Sequence, residues 1–209
     1  TIPAQNPANP AASLKTALDT LDAHANTAPF ISRQLIQRLV TSNPGPDYVR
    51  AVAGVFVNNG RGTRGDLKEV IKAILLHPES RLRNDASGKL REPVLRLSAF
   101  MRAFPHTSDS GFFRVGNTDN PANSLGQTPL RSPSVFNFYR PGYVPPNTAL
   151  ATAAEVAPEF QITTESSVAG YLNFMQSAIG TTNGVSGSDV RPDYSAWLAL
   201  APDAAALAD

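Results

Sequence analysis

Proton transfer near neutral pH relies most often on histidine, and this chain has three, His24, His77 and His106. They lie far apart, and none belongs to the i, i+4 pair that binds zinc on a helix face. His106 alone stands beside suitable partners, because Ser108–Ser110 follows it at the start of a long polar segment. A Ser/His/Asp arrangement is spatial and could be assembled there, although no G-x-S-x-G elbow supports it. The alternative is an ordinary loop histidine.

The segment from Arg131 to Tyr143 is the most unusual part of the sequence, because it combines closely spaced aromatic rings with two arginines. The rings could stack a sugar or a peptide, and the arginines could pair with acidic groups of that ligand. Alternatively, the rings anchor a long loop to a helical body. We favour the anchoring role, since stripes of rings are more often core. The candidate binding residues are Arg131, Phe136, Phe138, Tyr139, Arg140 and Tyr143.

A glycine-rich loop at residues 60–65 matches the G-x-G-x-x-G pattern in which glycines let the backbone approach a pyrophosphate. The preceding segment is typical of a helix rather than a strand, and Asp66 puts a negative charge where the phosphate would lie. A helix–helix loop that uses glycines for positive φ is therefore favoured over a nucleotide site.

Metal and cofactor sites find little support in the sequence. The chain has no cysteine, which excludes disulfides, thiolate metal sites and cysteine nucleophiles. Calcium could bind the oxygens of Asn117, Asp119, Asn120 and Asn123, but the EF-hand spacing is absent and only one of these residues is a carboxylate. Turn formation is the favoured role, and we predict no metal and no cofactor.

The composition is that of a globular protein without a dominant charge. The 209 residues are 42% hydrophobic and 17% charged, with a net charge of +1, so no overall field attracts nucleic acid or a membrane. The charge is unevenly distributed, however. Ten basic and five acidic residues lie between Arg61 and Arg102, whereas one basic and seven acidic residues lie from Pro141 to Asp209. No apolar stretch approaches the roughly 20 residues of a membrane span.

Helical periodicity accounts for most of the chain and predicts an all-α bundle of about five to seven helices. Residues 106–131 form a polar stretch too long for an ordinary connection. Eleven of the sixteen aromatic residues lie between Phe100 and Phe174, so we expect rings to pin this irregular, Pro-rich region to the helices. The predicted helices span about 10–25, 27–40, 47–57, 66–77, 89–104, a short aromatic turn from 132, 147–156, 164–180 and 193–201.

This pattern predicts one domain with four parts. Residues 1–9 are a lead-in, 10–104 a helical body, 105–147 a long loop with a short aromatic helix, and 148–209 carboxyl-terminal helices packed on the body. A polar turn is expected at Asp85–Gly88 and a flexible segment at Thr181–Asp189.

Four runs of this sequence resemble the bacterial domain-of-unknown-function family eighteen-hundred: Pro29–Val40, Gly65–Lys68 with Ala73–Leu75, Arg131–Tyr139 and Ala157–Ile162. The resemblance covers nearly the whole chain after the first helix, and the aromatic run is its most specific part. Members of that family are longer, largely helical and typically exported. The resemblance therefore implies that this chain is a carboxyl-terminal portion, that its amino-terminal portion is a partner, and that it is extracytoplasmic. A start at Thr1 suits a processed or excised fragment. A sulfatase-like protein of family fifteen-hundred-and-one, a frequent gene neighbour, is implied as a further partner.

Two hypotheses for function remain. The first is a non-catalytic interaction or scaffold domain of an exported bacterial protein. The second is part of a hydrolase-like enzyme whose active site is completed by the amino-terminal half, with His106, Glu92, Glu155 or Arg131 contributing. A catalytic assembly predicts that Arg131 and His106 line one pocket. A scaffold predicts buried Phe136 and Phe138 rings and a solvent-exposed His106.

Overall fold

The computed structural model describes residues 2–4, 6–83, 87–180 and 187–200. The fold is predominantly α, as the periodicity predicts, and these residues contain eight α-helices and one two-stranded sheet. None of the described helices is long and apolar enough to cross a bilayer. The helices are α1 (Pro10–Ala23), α2 (Thr27–Leu39), α3 (Pro46–Val57), α4 (Leu67–Leu76), α5 (Pro93–Ala103), α6 (Ala149–Thr152), α7 (Glu165–Ile179) and α8 (Ser195–Leu200). Short 3₁₀ helices span Pro78–Arg81 and Pro158–Ile162.

The chain divides into two compact units, Thr1–Lys89 and Leu90–Asp209. The division falls before α5, which the sequence prediction placed in the body at 10–104 together with α1–α4. The arrangement as one domain stays a prediction.

The first unit is built from α1–α4 around one apolar core. Small and β-branched side chains of α2, α3 and α4 meet there, and Tyr48 of α3 lies among them with no exposed surface. The Tyr48 hydroxyl donates a hydrogen bond of 2.7 Å to the Ile74 carbonyl, and its ring stacks on His77 at 4.3 Å between centroids. Burial, with the nearby charge of Glu79, raises the pKa of Tyr48 to about 12. The core residues are Ala28, Ile36, Tyr48, Val52, Phe56, Val70 and Ile74.

Helix α1 is capped as its sequence predicts but buries no residue. The Asn9 side chain accepts a hydrogen bond of 3.0 Å from Ala12 N–H, and Pro10 opens the first turn. Helix α2 begins at Thr27 without a side-chain capping hydrogen bond from Asn26, and the Thr27 hydroxyl donates to the Leu21 carbonyl at 2.6 Å. That bond fixes the end of α1 to the start of α2.

The second unit has its own core, formed by Leu97 of α5, Leu125 of the long irregular segment and Phe174 of α7. Helix α7 approaches this segment so closely that a Cβ atom on Gly170 would lie 2.3 Å from the Pro121 carbonyl oxygen. Only glycine fits that contact. Leu125, an aliphatic residue, therefore packs the irregular region against α5 and α7.

Helix α5 begins at Pro93, and the prediction of a helix from residue 89 is wrong. A residue that precedes proline is driven out of the helical region, and Glu92 has φ −60° and ψ 148°. The predicted short helix in the aromatic run is also absent. Residues 134–137 form a turn closed by Asn137 N–H to the Ser134 carbonyl at 3.0 Å, and Asn137 has φ 67°. Left-handed backbone at this position cannot continue a helix.

A strand pair was not predicted, and the second unit contains one. Strand β1 (His106–Ser108) pairs antiparallel with β2 (Val190–Pro192), with His106 opposite Pro192. Three residues per strand are too few to produce a detectable period-two pattern.

The carboxyl-terminal helices are confirmed with shorter bounds. Thr164 caps α7 through a hydrogen bond of 3.2 Å from Ser167 N–H, and Gly180 ends the helix. Helix α6 ends at Thr152, because Ala154 has φ 55°. Parts of three predictions lie outside the described residues: the turn from Asp85, the segment from Thr181 and the end of the last helix at Ala201.

Candidate functional site

Tyr139 of the aromatic run is a buried anchor rather than an exposed ligand contact. Its side chain is 3% exposed, and its hydroxyl donates to Glu92 Oε1. Gln127, also buried, donates through Nε2 to Glu92 Oε2, and its Oε1 accepts from Val94 N–H at 3.2 Å. Both oxygens of Glu92, one of the catalytic candidates, therefore accept hydrogen bonds that fix the irregular segment to the start of α5. Tyr139 is the residue of the aromatic run that these bonds anchor, and the anchoring role of the whole run stays a prediction.

The other residues of the aromatic run lie nearer the surface. Phe136 is exposed, so the burial that the scaffold hypothesis predicts for this ring is not found. The Arg140 guanidinium lies 5.1 Å from the centroid of the Phe136 ring. Phe138 and Tyr143 are half-buried, and Tyr143 accepts through its carbonyl from Ala157 N–H at 2.8 Å.

Arg131, a candidate for both binding and catalysis, forms an ion pair of 2.8 Å with Asp119. Its side chain is largely exposed, and such pairs contribute only about 0–1 kcal/mol. Arg131 does not line the cavity that His106 lines.

His106 is neither loose in solvent nor placed for a catalytic triad. Its Nδ1 lies 2.7 Å from the Phe104 carbonyl oxygen, which can only accept, so Nδ1 carries the proton. In a triad that nitrogen donates to a carboxylate. The ring packs edge-on against Phe100 at 5.4 Å and lines an apolar cavity of about 20 Å³ with Leu97 and Phe174. That volume accommodates about one water molecule.

Asp189, which the sequence did not single out, is the acceptor that organises the loop after β1. Its carboxylate accepts from the Ser110 hydroxyl and from Arg114 N–H at 2.8 Å. The Ser110 hydroxyl bond, followed by backbone N–H donors, lowers the pKa of Asp189. The Ser110 hydroxyl therefore bonds Asp189, which lies far along the chain, and it does not bond His106. No local pattern could reveal a pair 79 residues apart.

The backbone of the glycine-rich loop is poorly suited to cradle a phosphate, because four successive N–H groups, from Gly60 to Thr63, are already bonded within the protein. Asn58 Oδ1 accepts from Gly60 and Gly62 N–H at 2.9 and 3.0 Å, and Asn59 Oδ1 accepts from the next donors in the loop. Asn59 also donates to Asp66 at 2.7 Å. That bond, followed by Glu69 N–H, lowers the pKa of Asp66, which caps α4. The helix–helix loop interpretation is the one that these bonds support.

No cluster of three or more His, Asp or Glu side chains that could hold a metal occurs among residues 2–4, 6–83, 87–180 and 187–200. Of the residues considered for calcium, Asp119 pairs with Arg131, and two asparagines bond the backbone. Asn117 accepts from Asp119 N–H and Asn120 from Ala122 N–H, each at 2.9 Å. These are the turns expected of Asn-rich segments.

Two grooves lie in the first unit. One, of about 570 Å³, follows α2 and α3 and is lined by small and apolar residues that include Ala28, Val49, Ala53, Gly54 and Val57. The other groove, of about 480 Å³, lies beside the 3₁₀ helix Pro78–Arg81 and is lined by residues that include the polar Thr41, Glu79 and Ser80. Glu79 is committed to the fold there, because its Oε1 accepts from Gly45 N–H at 2.6 Å.

Residues 1–207 match the model of a family described as "Protein of unknown function (DUF1800)". The chain belongs to the DUF1800 family. The resemblance of the four runs is confirmed, and the match extends to α1, which the resemblance did not include. No curated protein and no solved structure matches this DUF1800 chain. That the chain is a carboxyl-terminal portion of a longer protein stays a prediction.

Proposed function

We propose that this DUF1800 chain is a non-catalytic interaction domain of an exported protein and that α1 docks onto its partner. The observation that carries the proposal is the exposure of α1. Leu14, Leu18 and Leu21 recur at i, i+4 and i+7 and are 57–66% exposed. None of the fourteen residues of α1 is buried. Contiguous exposed apolar surface of this kind is typical of interaction sites.

Helix α1 is held in place at one end, so the stripe is presented rather than loosely attached. The Arg64 side chain donates to Asp22 Oδ2 at 3.0 Å, and the Thr27 hydroxyl bonds the Leu21 carbonyl. A helix of this length is marginal in water without a packed face. Fixing its last turn reduces the conformational entropy that a partner would otherwise have to remove on binding.

The groove along α2 and α3 offers a second contact for a helical partner. Val49, Ala53 and Val57 recur along one side of α3, and a Cβ atom on Gly54 would meet open space. Small residues on one helix form the groove into which the side-chain ridge of another helix packs.

The partner that we propose is the amino-terminal portion of the same protein. The family resemblance supports this choice, since it implies that members are longer, and it also supports an extracytoplasmic location and a sulfatase-like protein as a further partner. The enzyme alternative stays a prediction. Among the described residues His106, Glu92 and Arg131 are each engaged in separate contacts, and no observation favours catalysis by them.

The test is to produce the amino-terminal portion and this chain separately, mix them and follow the complex by native mass spectrometry. A one-to-one complex is the expected result. Leu18→Glu puts a carboxylate in the middle of the stripe, where burial penalises it, and should weaken the complex by roughly tenfold or more. Leu82→Glu, at an exposed leucine outside α1, is the matched control and should leave affinity unchanged. Failure to associate, or equal losses in both variants, would refute the proposal.

A further inference from the structure

The loop from Leu130 to Arg140 exposes apolar side chains to a degree that no packing role explains. Leu130 is 104% exposed, Val135 95% and Phe136 53%. An exposure near 100% means that a side chain projects from the surface and touches almost nothing around it. Single exposed apolar residues are ordinary, but three within seven positions form a patch.

This loop is held firmly at its base. On one side Leu125 and Gln127 are buried, and Gln127 N–H donates to the Thr118 carbonyl at 3.0 Å. On the other side Tyr139 is fixed through its bond to Glu92. Between these anchors the chain makes two successive turns, closed by Arg131 N–H to the Thr128 carbonyl at 3.2 Å and by Asn137 N–H to Ser134. Leu130 belongs to the first turn and Val135 and Phe136 to the second.

Leu130 is placed outward despite a conformational cost. It has φ 64° at the third position of its turn, directly after Pro129, the arrangement of a type II turn in which glycine or asparagine is usual. A branched side chain is disfavoured in that region of backbone space. A strained residue with a fully exposed apolar side chain indicates a functional rather than a folding role.

The two charged residues of the loop itself are both arginines. Arg131 and Arg140 are the only charged residues between Asn120 and Ala154. Arg140 lies over the Phe136 ring, so a positive group accompanies the largest apolar side chain of the patch. Arg131 pairs with Asp119 at the surface, where an ion pair is weak and can be exchanged for another anion.

We propose that this loop docks the protein onto an anionic lipid surface, with Leu130, Val135 and Phe136 entering the interface and Arg140 contacting lipid phosphate. A bilayer interface deforms around a protruding group, whereas a protein partner would need a preformed pocket for it. Apolar side chains beside basic ones are the combination that binds anionic interfaces. This binding site lies in the second unit and does not depend on the proposed role of α1.

The experiment measures co-sedimentation of the full chain with vesicles of phosphatidylcholine mixed with phosphatidylglycerol, and with vesicles of phosphatidylcholine alone. We expect binding to the mixed vesicles and much less to the neutral ones. The triple variant Leu130→Ser/Val135→Ser/Phe136→Ser should lose roughly tenfold or more in partitioning. Arg140→Gln should lose roughly fivefold on the mixed vesicles only. All changed side chains are exposed, and an unchanged circular dichroism melt verifies folding.

The matched control is Leu14→Ser/Leu18→Ser, which removes exposed leucines from α1 in the first unit. This variant should bind vesicles as the unchanged protein does, while weakening the protein complex described above. Absence of binding to anionic vesicles overturns the proposal. Binding that survives the triple variant, or that the α1 variant abolishes instead, overturns it as well.

Discussion

At the scale of single residues, two buried polar side chains of the second unit are fixed by hydrogen bonds that span long stretches of sequence. Tyr139 and Gln127 both bond Glu92. A buried polar group that loses its partner costs about 1–3 kcal/mol, so these pairs specify where the irregular segment lies. The candidate catalytic carboxylate Glu92 is thereby explained as a structural acceptor.

Tyr48 gives a prediction about alkaline pH. Its pKa rises from the ordinary 10.0 to about 12 in the folded protein, because burial and Glu79 disfavour the phenolate. Below pH 10 the tyrosine is protonated in both states and its contribution is fully present. Between pH 10 and about 12 only the unfolded chain loses the proton, so the free energy of unfolding falls, by up to about 3 kcal/mol.

Urea unfolding from pH 9 to 12 measures this loss, with Tyr48→Phe as the reference. The variant lacks the ionisable hydroxyl, so its stability should fall less steeply over the same range. The variant should also be less stable at neutral pH, with a free energy of unfolding lower by about 1 kcal/mol, because the Ile74 carbonyl loses its hydrogen-bond donor. Parallel curves for the two proteins would contradict the assigned pKa.

At the scale of elements, two helical glycines predict opposite effects of the same substitution. Gly54 lies inside α3 with open space where a Cβ would stand, so Gly54→Ala should stabilise the protein by about 1 kcal/mol through helix propensity. Gly170 lies inside α7, where a Cβ would meet the Pro121 backbone at 2.3 Å. Gly170→Ala should destabilise by about 1–3 kcal/mol. Chemical denaturation midpoints measure the effects of both substitutions. Equal shifts of the two midpoints would mean that α7 does not pack closely on the segment around Pro121.

The elements also show what the sequence could and could not predict. Helices α1, α3, α4 and α7 follow from periodicity and from local caps such as Asn9, Asp66 and Thr164, whose bonds lie within three residues. The β1–β2 pairing and the Asp189 bonds connect residues far apart in the chain, and no local pattern contains them. Within the aromatic run, the sequence does not distinguish the buried Tyr139 from the exposed Phe136. The exposure of Leu130 and Val135 depends on turn conformation, which hydrophobic periodicity does not report.

At the scale of the whole molecule, each compact unit has its own apolar core and its own net charge. Unit Thr1–Lys89 has eleven basic and seven acidic residues, or +4, and unit Leu90–Asp209 has seven and ten, or −3, which together give the net +1. The cores are separate sets of residues, one around Ile36 and one around Phe174. Two units with separate cores have the means to unfold separately.

The single tryptophan allows that expectation to be tested. Trp197 of α8 packs against Phe104 at 5.7 Å between ring centroids, so its fluorescence reports on the second unit alone. Ile36→Ala opens a cavity in the first core and should cost about 2–5 kcal/mol there. This variant should lower the midpoint of the helix unfolding transition that circular dichroism follows. It should leave the midpoint of the Trp197 fluorescence transition unchanged. Phe174→Ala, which costs about 3–5 kcal/mol, should shift the fluorescence transition instead. The opposite outcome is that fluorescence and circular dichroism report one coincident transition, and that both variants shift its midpoint. The two cores would then unfold as a single cooperative structure, because a cavity in one unit can destabilise the other unit only if the two are coupled.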